Sequence, residues 1–324
     1  MVALIAVDKL VKHFPVRRGI ADLVARRHPV VHAVDDVTFS LAAGETVGLL
    51  GESGCGKTTT GRLLLKLETP TSGEITVGGR GLSTLRGSEL KAYRRDAQLV
   101  FQNPFDALNP RFTMERALRE PLINAGVLKA EHKGRIAEVL ERVRIPRRRE
   151  LLDKFPHQLS GGQLQRFVLA RALVLGPKFI VADEPVSMLD VSVRAGILNL
   201  MRDIQESLGL TAIYISHDLA LVRYVAARTF VMYLATIVED GPTERVISRP
   251  LHPYTRALIA AVPVPHVTQD RGPLPIKGTV PDARRPPPGC RFHDRCPMTI
   301  DRCRSEVPLL REIEHGHRAA CHLL

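Results

Sequence analysis

The chain has no tryptophan, and only 5% of its 324 residues are aromatic. A surface that grips single-stranded nucleic acid needs aromatic platforms for the bases, so that mode of binding is disfavoured. Long apolar runs are missing too. Stretches such as residues 179–182 and 257–262 fall far short of the roughly 18 residues that cross a bilayer. Residues 1–10 meet Asp8 and Lys9 after a short apolar run, without a cationic leader or a small-residue cleavage site, and read as a strand of a cytoplasmic protein. Most of the chain also lacks cysteine: four of the five lie in the last thirty-five residues. Such clustering suggests a metal or cluster site more than a distributed disulfide framework.

What remains is ordinary globular composition, 44% apolar and 25% charged, with length for one large domain and a small appendage. Lys and Arg outnumber Asp and Glu by 46 to 34, a net charge of +12. Polyanions therefore suit it as partners, whether nucleic acid, phospholipid headgroups or nucleotides, and a merely solvated basic surface fits as well.

Along the chain, Val37, Phe39 and Leu41 alternate as in a strand, and after Ala43-Gly44 a second run over Thr46–Leu50 enters a glycine-rich loop. A helix is predicted over 57–67, and strands over 97–101, 179–182, 211–215 and 228–233, mostly with helical patterns between them. This α/β alternation implies a mostly parallel sheet. Residues 112–155 are instead helical in pattern and rich in Arg and Glu, with breaks at Pro121, Gly126 and Pro146, as in an inserted helical subdomain. Eight prolines fall within 262–289, which predicts an extended segment of polyproline character. The expected division is a nucleotide-binding domain over 1–245, with its helical subdomain at about 103–175, a helical and proline-rich linker over 246–289, and a cysteine-rich region over 290–324.

Gly51-Glu52-Ser53-Gly54-Cys55-Gly56-Lys57-Thr58 fits the G-x4-G-K-[ST] phosphate loop, between a predicted strand and a predicted helix. The glycines let backbone N–H groups curl around phosphates and the helix N-terminus adds a favourable dipole. Lys57 would reach the β and γ phosphates, and Thr58, followed by Thr59, would offer its hydroxyl to Mg²⁺. Cys55 holds a position where a small side chain suffices, and reads as filler within the loop. Further on, Ser160-Gly161-Gly162-Gln163 opens an amphipathic helix, and an apolar strand ends in Asp183 and Glu184. One of these carboxylates can hold Mg²⁺ while the other positions a water. A third strand ends at His217, able to contact a γ-phosphate.

With these motifs in this order, residues 1 to about 260 resemble the ATP-binding cassette family. The resemblance implies an α/β phosphate-loop NTPase core with an inserted helical subdomain, and a small cysteine-rich extension follows it. It also implies residue roles. Phe14 would stack on adenine, Gln102 would form the Q-loop and join Thr58 and Asp183 at Mg²⁺, and Glu184 would be the base or water-orienter, supported by His217. Ser160, Gly161, Gly162 and Gln163 would form the signature, contacting ATP on a facing domain, with Asp190 in the D-loop. Here the D-loop carries Met188 where the family usually has Ala.

The segments Val100-Phe101-Gln102-Asn103-Pro104-Phe105, Leu108-Asn109-Pro110-Arg111, His252-Pro253-Tyr254-Thr255 and Gly289-Cys290-Arg291-Phe292-His293-Asp294-Arg295-Cys296-Pro297 resemble the oligopeptide and dipeptide importer ATPases. Leu67-Glu68-Thr69-Pro70-Thr71-Ser72-Gly73 looks like the second of the two ATPases such systems usually encode. This implies a heterodimer with a paralogous ATPase at the cytoplasmic face of the membrane, two permease subunits, and indirectly an extracytoplasmic solute-binding protein. Nickel importers share much of the architecture. DNA-associated relatives would need a coiled-coil arm, and no sustained heptads separate Gln102 from Ser160, so no nucleic-acid partner is expected. Cys290, Cys296, Cys303 and Cys321, spaced C-x5-C-x6-C-x17-C, offer four soft ligands for a [4Fe-4S] cluster or structural zinc. The resemblance favours the cluster.

Overall fold

A computed structural model of the chain describes residues 3–16, 29–262 and 276–324. Its strands in chain order are β1 (Ala3–Pro15), β2 (Val30–Ala42), β3 (Thr46–Leu50), β4 (Ser72–Val77), β5 (Arg80–Gly81), β6 (Ala97–Val100), β7 (Phe179–Asp183), β8 (Thr211–Ser216), β9 (Arg228–Tyr233), β10 (Thr236–Pro242), β11 (Arg311–Glu314) and β12 (His317–Ala319). They divide between two compact units. The first comprises 41–46 and 84–215, and the second 3–40, 47–83 and 216–324.

In the first unit β8, β7 and β6 run parallel, pairing Ala97 with Phe179 and Asp183 with Ile215 at the two ends of the register. β7 is buried until Asp183, the pattern of a strand covered on both faces. The helices Met114–Ala125, Lys129–Arg142 and Gly161–Leu173 pack on one another, and the last also lies on β6. Pro121, expected to break its helix, sits inside Met114–Ala125. The break comes at Gly126, whose φ of 77° makes a left-handed C-cap that donates to Ile123 and Leu122 carbonyls. Burial of Met114, Ala117, Leu118 and Leu122 outweighs the one backbone donor that proline removes.

The second unit holds a sheet in the order β2-β1-β4-β5, with β4 antiparallel to both β1 and β5, and a run β11-β12-β10-β9-β3. In that run β3 and β9 are parallel. β10 folds back antiparallel on β9, and β12 from the cysteine-rich tail extends that edge by pairing Glu239 with Ala319 and Asp240 with Arg318. The helix Lys57–Leu64 ends before the expected residue 67, because Lys66 turns left-handed at φ 51°. Of the proline-rich stretch, 263–275 lies outside the described residues. Residues 276–289 form neither helix nor strand.

The tail is fastened through a buried carboxylate. Glu239 accepts hydrogen bonds from the backbone N–H groups of Leu251 (2.9 Å) and His252 (2.8 Å), and pairs with Nε2 of His317 at 2.8 Å. Both side chains of that pair are fully buried. Gly241 leaves room for the imidazole, since a Cβ there would come within 2.7 Å of His317 Cδ2. Removing the imidazole leaves the buried Glu239 side chain one hydrogen-bond partner short, at a cost of about 1–3 kcal/mol. His317→Leu should lose that much stability in urea unfolding at neutral pH. A loss below about 1 kcal/mol would mean that β12 is anchored by other contacts.

Candidate functional site

The phosphate loop lies in the second unit between β3 and the helix Lys57–Leu64. Two of its glycines are dictated by space and by conformation. A Cβ on Gly51 would come within 2.3 Å of the Met232 carbonyl oxygen, and one on Gly56 within 2.1 Å of the Ala33 oxygen. Gly56 caps the helix in the left-handed region at φ 107°, and with no N-cap side chain the first turn can turn its amides to an anion. Lys57 is buried, and its Nζ donates to the carbonyls of Gly51 at 2.7 Å and Glu52 at 2.9 Å. Ser53, Gly54 and Thr58 are exposed along the loop, with Thr59 half-buried. Cys55 Sγ sits 3.8 Å from Lys57 Nζ, in a burial that raises its thiol above the ordinary value. Phe14 is half-exposed with the Lys12 ammonium 4.7 Å from its ring centroid. His217, also of this unit, is exposed at the end of β8, just before Asp218 caps the next helix through Ala220 and Leu221 N–H.

In the first unit Gln102 and Glu184, 82 positions apart, come together: Gln102 Nε2 donates to Glu184 Oε2 at 3.1 Å. Glu184 takes a left-handed φ of 45°, unusual for a residue with a Cβ, and its N–H donates to the Ile215 carbonyl at 2.9 Å. The strain sits immediately after Asp183 ends β7. Ser160 caps the helix Gly161–Leu173 in a reciprocal capping box with Gln163. Gly162 faces Val193, whose Cγ1 a Cβ would meet at 2.8 Å. The turn Ser187-Met188-Leu189-Asp190 is pinned from within, because Arg194 donates to the carbonyls of Leu189 at 2.7 Å and Ser187 at 3.3 Å. Met188 and Val191 nevertheless stand exposed, at 65% and 79%.

The tail contributes contacts that no motif announces. Arg295 is buried and forks onto the Glu52 carboxylate of the phosphate loop, at 2.8 and 3.1 Å. Tyr254 Oη accepts the Glu52 backbone N–H at 2.9 Å. Tyr233, Tyr254 and Phe292 form one aromatic cluster, with centroids 4.6 to 5.5 Å apart. Burial pushes His252 down to about 4, so at neutral pH its uncharged Nδ1 can accept the Tyr254 N–H and cap that helix. His252-Pro253-Tyr254 was visible as a segment, but only folding reveals what it supports.

The four tail cysteines are free, and all but half-buried Cys290 are buried. Burial pushes the Cys290 thiol up to about 11, and Cys303, Cys321 and Cys296 each add to the rise by repulsion. Among the described residues, no three of these sulfurs lie within 4.8 Å of one another. Four free and largely buried thiols are a soft donor set that would fit either an iron-sulfur cluster or zinc. The group that does converge is His13, His32 and Asp35. There the Arg291 guanidinium already pairs with Asp35 and, with His32, outweighs the effect of burial to hold that carboxyl below its ordinary value. A paired carboxylate of this kind is an ion-pair centre rather than a cation site.

Residues 34–187 match the family described as ABC transporter, and residues 238–303 match the oligopeptide/dipeptide transporter C-terminal region. A probable peptide ABC transporter ATP-binding protein of Sinorhizobium fredii is 47% identical over 99% of this chain and 90% of its own length. A di/tripeptide transport ATP-binding protein of Pseudomonas aeruginosa is 43% identical over 97% and 95%, respectively. Among solved structures, an ATP-binding cassette dimer in a post-hydrolysis state with ADP and phosphate aligns with a TM-score of 0.63 at 27% identity, covering 74% of this chain and 98% of that one. Open phosphate loop, paired carboxylates, capped signature helix and full-length likeness lead to one conclusion: the chain belongs to the ABC transporter family of ATP-binding proteins, and carries the C-terminal region of its oligopeptide/dipeptide branch.

Proposed function

We propose that this chain hydrolyses ATP to power the import of di- or oligopeptides through membrane permease subunits to which it binds. The observation that carries this reading is the joint match to the cassette and to the peptide-transporter C-terminal region over one continuous chain. Among the described residues no helix is long and apolar enough to cross a membrane, so the spanning path must come from other subunits. The working place is then the cytoplasmic face of the membrane. There each basic residue near anionic headgroups adds about 1 kcal/mol of attraction.

Phosphoryl transfer asks a protein mainly for positioning and charge stabilisation. Lys57 and the loop amides hold the β and γ phosphates, and Phe14 stacks on the base. Thr58, Gln102 and Asp183 are the residues to hold Mg²⁺, which when bound neutralises phosphate oxygens. Glu184 orients or deprotonates the attacking water, with His217 supporting it. Ser160 to Gln163 serve the nucleotide of a facing cassette, and the exposed D-loop around Asp190 meets that cassette, which we take to be a paralogous ATPase. An extracytoplasmic binding protein delivers the peptide. Cys290, Cys296, Cys303 and Cys321 hold a [4Fe-4S] cluster, with zinc as the alternative, and the metal–thiolate bonds add folding energy to the tail.

Replacing Glu184 by Gln should leave ATP binding intact and cut turnover of the assembled transporter by about 100-fold or more, with closed ATP-loaded dimers accumulating. Steady-state activity close to normal would remove Glu184 from the chemistry. The isolated chain, diluted to a monomer, should turn over poorly and gain activity when the paralogous subunit is added. Equal rates for monomer and full complex would refute a composite site. Anaerobically purified protein should contain about four iron and four sulfide per chain. Colourless protein with one zinc and no sulfide would assign the thiols to zinc.

A further inference from the structure

Glu52 is an odd residue to place in a loop that must wrap a polyanion. A carboxylate beside bound triphosphate repels it, and in a partly desolvated site the repulsion is only weakly screened. Glu52 is also the most heavily held residue of the loop. Its N–H donates to Tyr254 Oη at 2.9 Å, its carbonyl accepts from Lys57 Nζ at 2.9 Å, and its carboxylate takes both Nη atoms of Arg295. The Arg295 side chain is only 8% exposed against 29% for Glu52, and its guanidinium carbon lies 5.7 Å from the Tyr233 ring centroid. The arginine comes from the tail, 243 positions away.

We infer that Arg295 is a positioning residue for nucleotide binding: it neutralises Glu52 and turns its carboxylate away from the phosphates, so that the tail sets the affinity of the phosphate loop for ATP. The inference rests on reading Gly51–Thr58 as that loop. Bidentate geometry fixes the direction in which the carboxylate points as well as its charge, which a lysine would do less well. Lys57 and Arg295 thus flank one residue, the first aimed at phosphate and the second at the acid. Tail and loop become one electrostatic unit in which the two members of the pair act with opposite sign. Loss of Arg295 exposes an anion to the nucleotide, whereas loss of the Glu52 charge exposes a cation.

The test is Mg-ATP binding to the full-length chain, read by equilibrium titration alongside urea unfolding of each variant. Wild-type binding that Lys57→Ala abolishes confirms the loop itself; if it fails, the reading of the loop fails with it. With that control in place, Arg295→Met should raise the ATP Kd about 10-fold. Arg295→Lys should fall between the two, and ATPase assays in the assembled transporter should place the change in KM with kcat within about twofold. Glu52→Gln should bind ATP as tightly as wild type or more tightly. The double variant should return to within about threefold of wild type. A merely structural pair would weaken binding from both sides and would not be rescued. Glu52→Gln alone keeps the question open to measurement should Arg295→Met fail to fold, because a 10-fold weaker Kd for it overturns the inference. So does an Arg295→Met protein that folds and binds ATP as wild type does.

Discussion

A single constraint governs the nucleotide-binding half of this chain: backbone amides and one ammonium must converge where a side chain would get in the way. Gly51 and Gly56 are glycines because the Met232 and Ala33 carbonyls stand where their Cβ atoms would be. The helix that follows begins on a glycine, which has no side chain to cap its first turn. Lys57 is held from behind by two loop carbonyls, which point its charge and limit its rotamers before any phosphate arrives. A loop built this way is stiff only if its neighbours are. β9, the Ala33 strand and the Tyr254 helix all touch it, so the surrounding framework exists to keep a short curl of backbone in place.

Legibility in the sequence followed the range of the interactions involved. The phosphate loop, the signature and the Asp183-Glu184 strand end are local, each needing only a strand, a turn and a helix whose patterns lie within about a dozen residues. Gln102 with Glu184 required the resemblance, since 82 positions separate the hydrogen-bonded pair and no periodicity connects them. Pro121 shows the limit of a local rule, because four buried side chains on one helical face outweigh a missing donor. β10, β11 and β12 were not legible at all. β12 meets β10 across some 80 positions, and that seam holds one buried acid, Glu239, which no local pattern announces.

The same distinction explains why the tail's importance was hidden. As a sequence it reads as four thiols behind a proline-rich tether, an appendage that a metal might hold together. In the fold it contributes two strands to the sheet, an aromatic ring to the cluster beneath the loop, and an arginine to the loop itself. The match to the peptide-transporter C-terminal region begins at 238, within β10, and so includes the acid that anchors the tail as well as Arg295. What the region adds to a cassette core is therefore structural continuity with the phosphate loop.

Charge makes the last link in that argument. The chain is strongly basic overall, yet two acids of the second unit each take one guanidinium from the tail: Asp35 from Arg291 and Glu52 from Arg295. The two arginines at 291 and 295 leave the same short turn and reach two different acids of the second unit. A turn carrying two guanidiniums that each pair with a half-buried acid cannot shift without breaking both ion pairs. Cys290 and Cys296 bracket that turn. A group that held the thiols would thereby also hold the arginines, and through the Glu52 pair the backbone of the 51–58 loop.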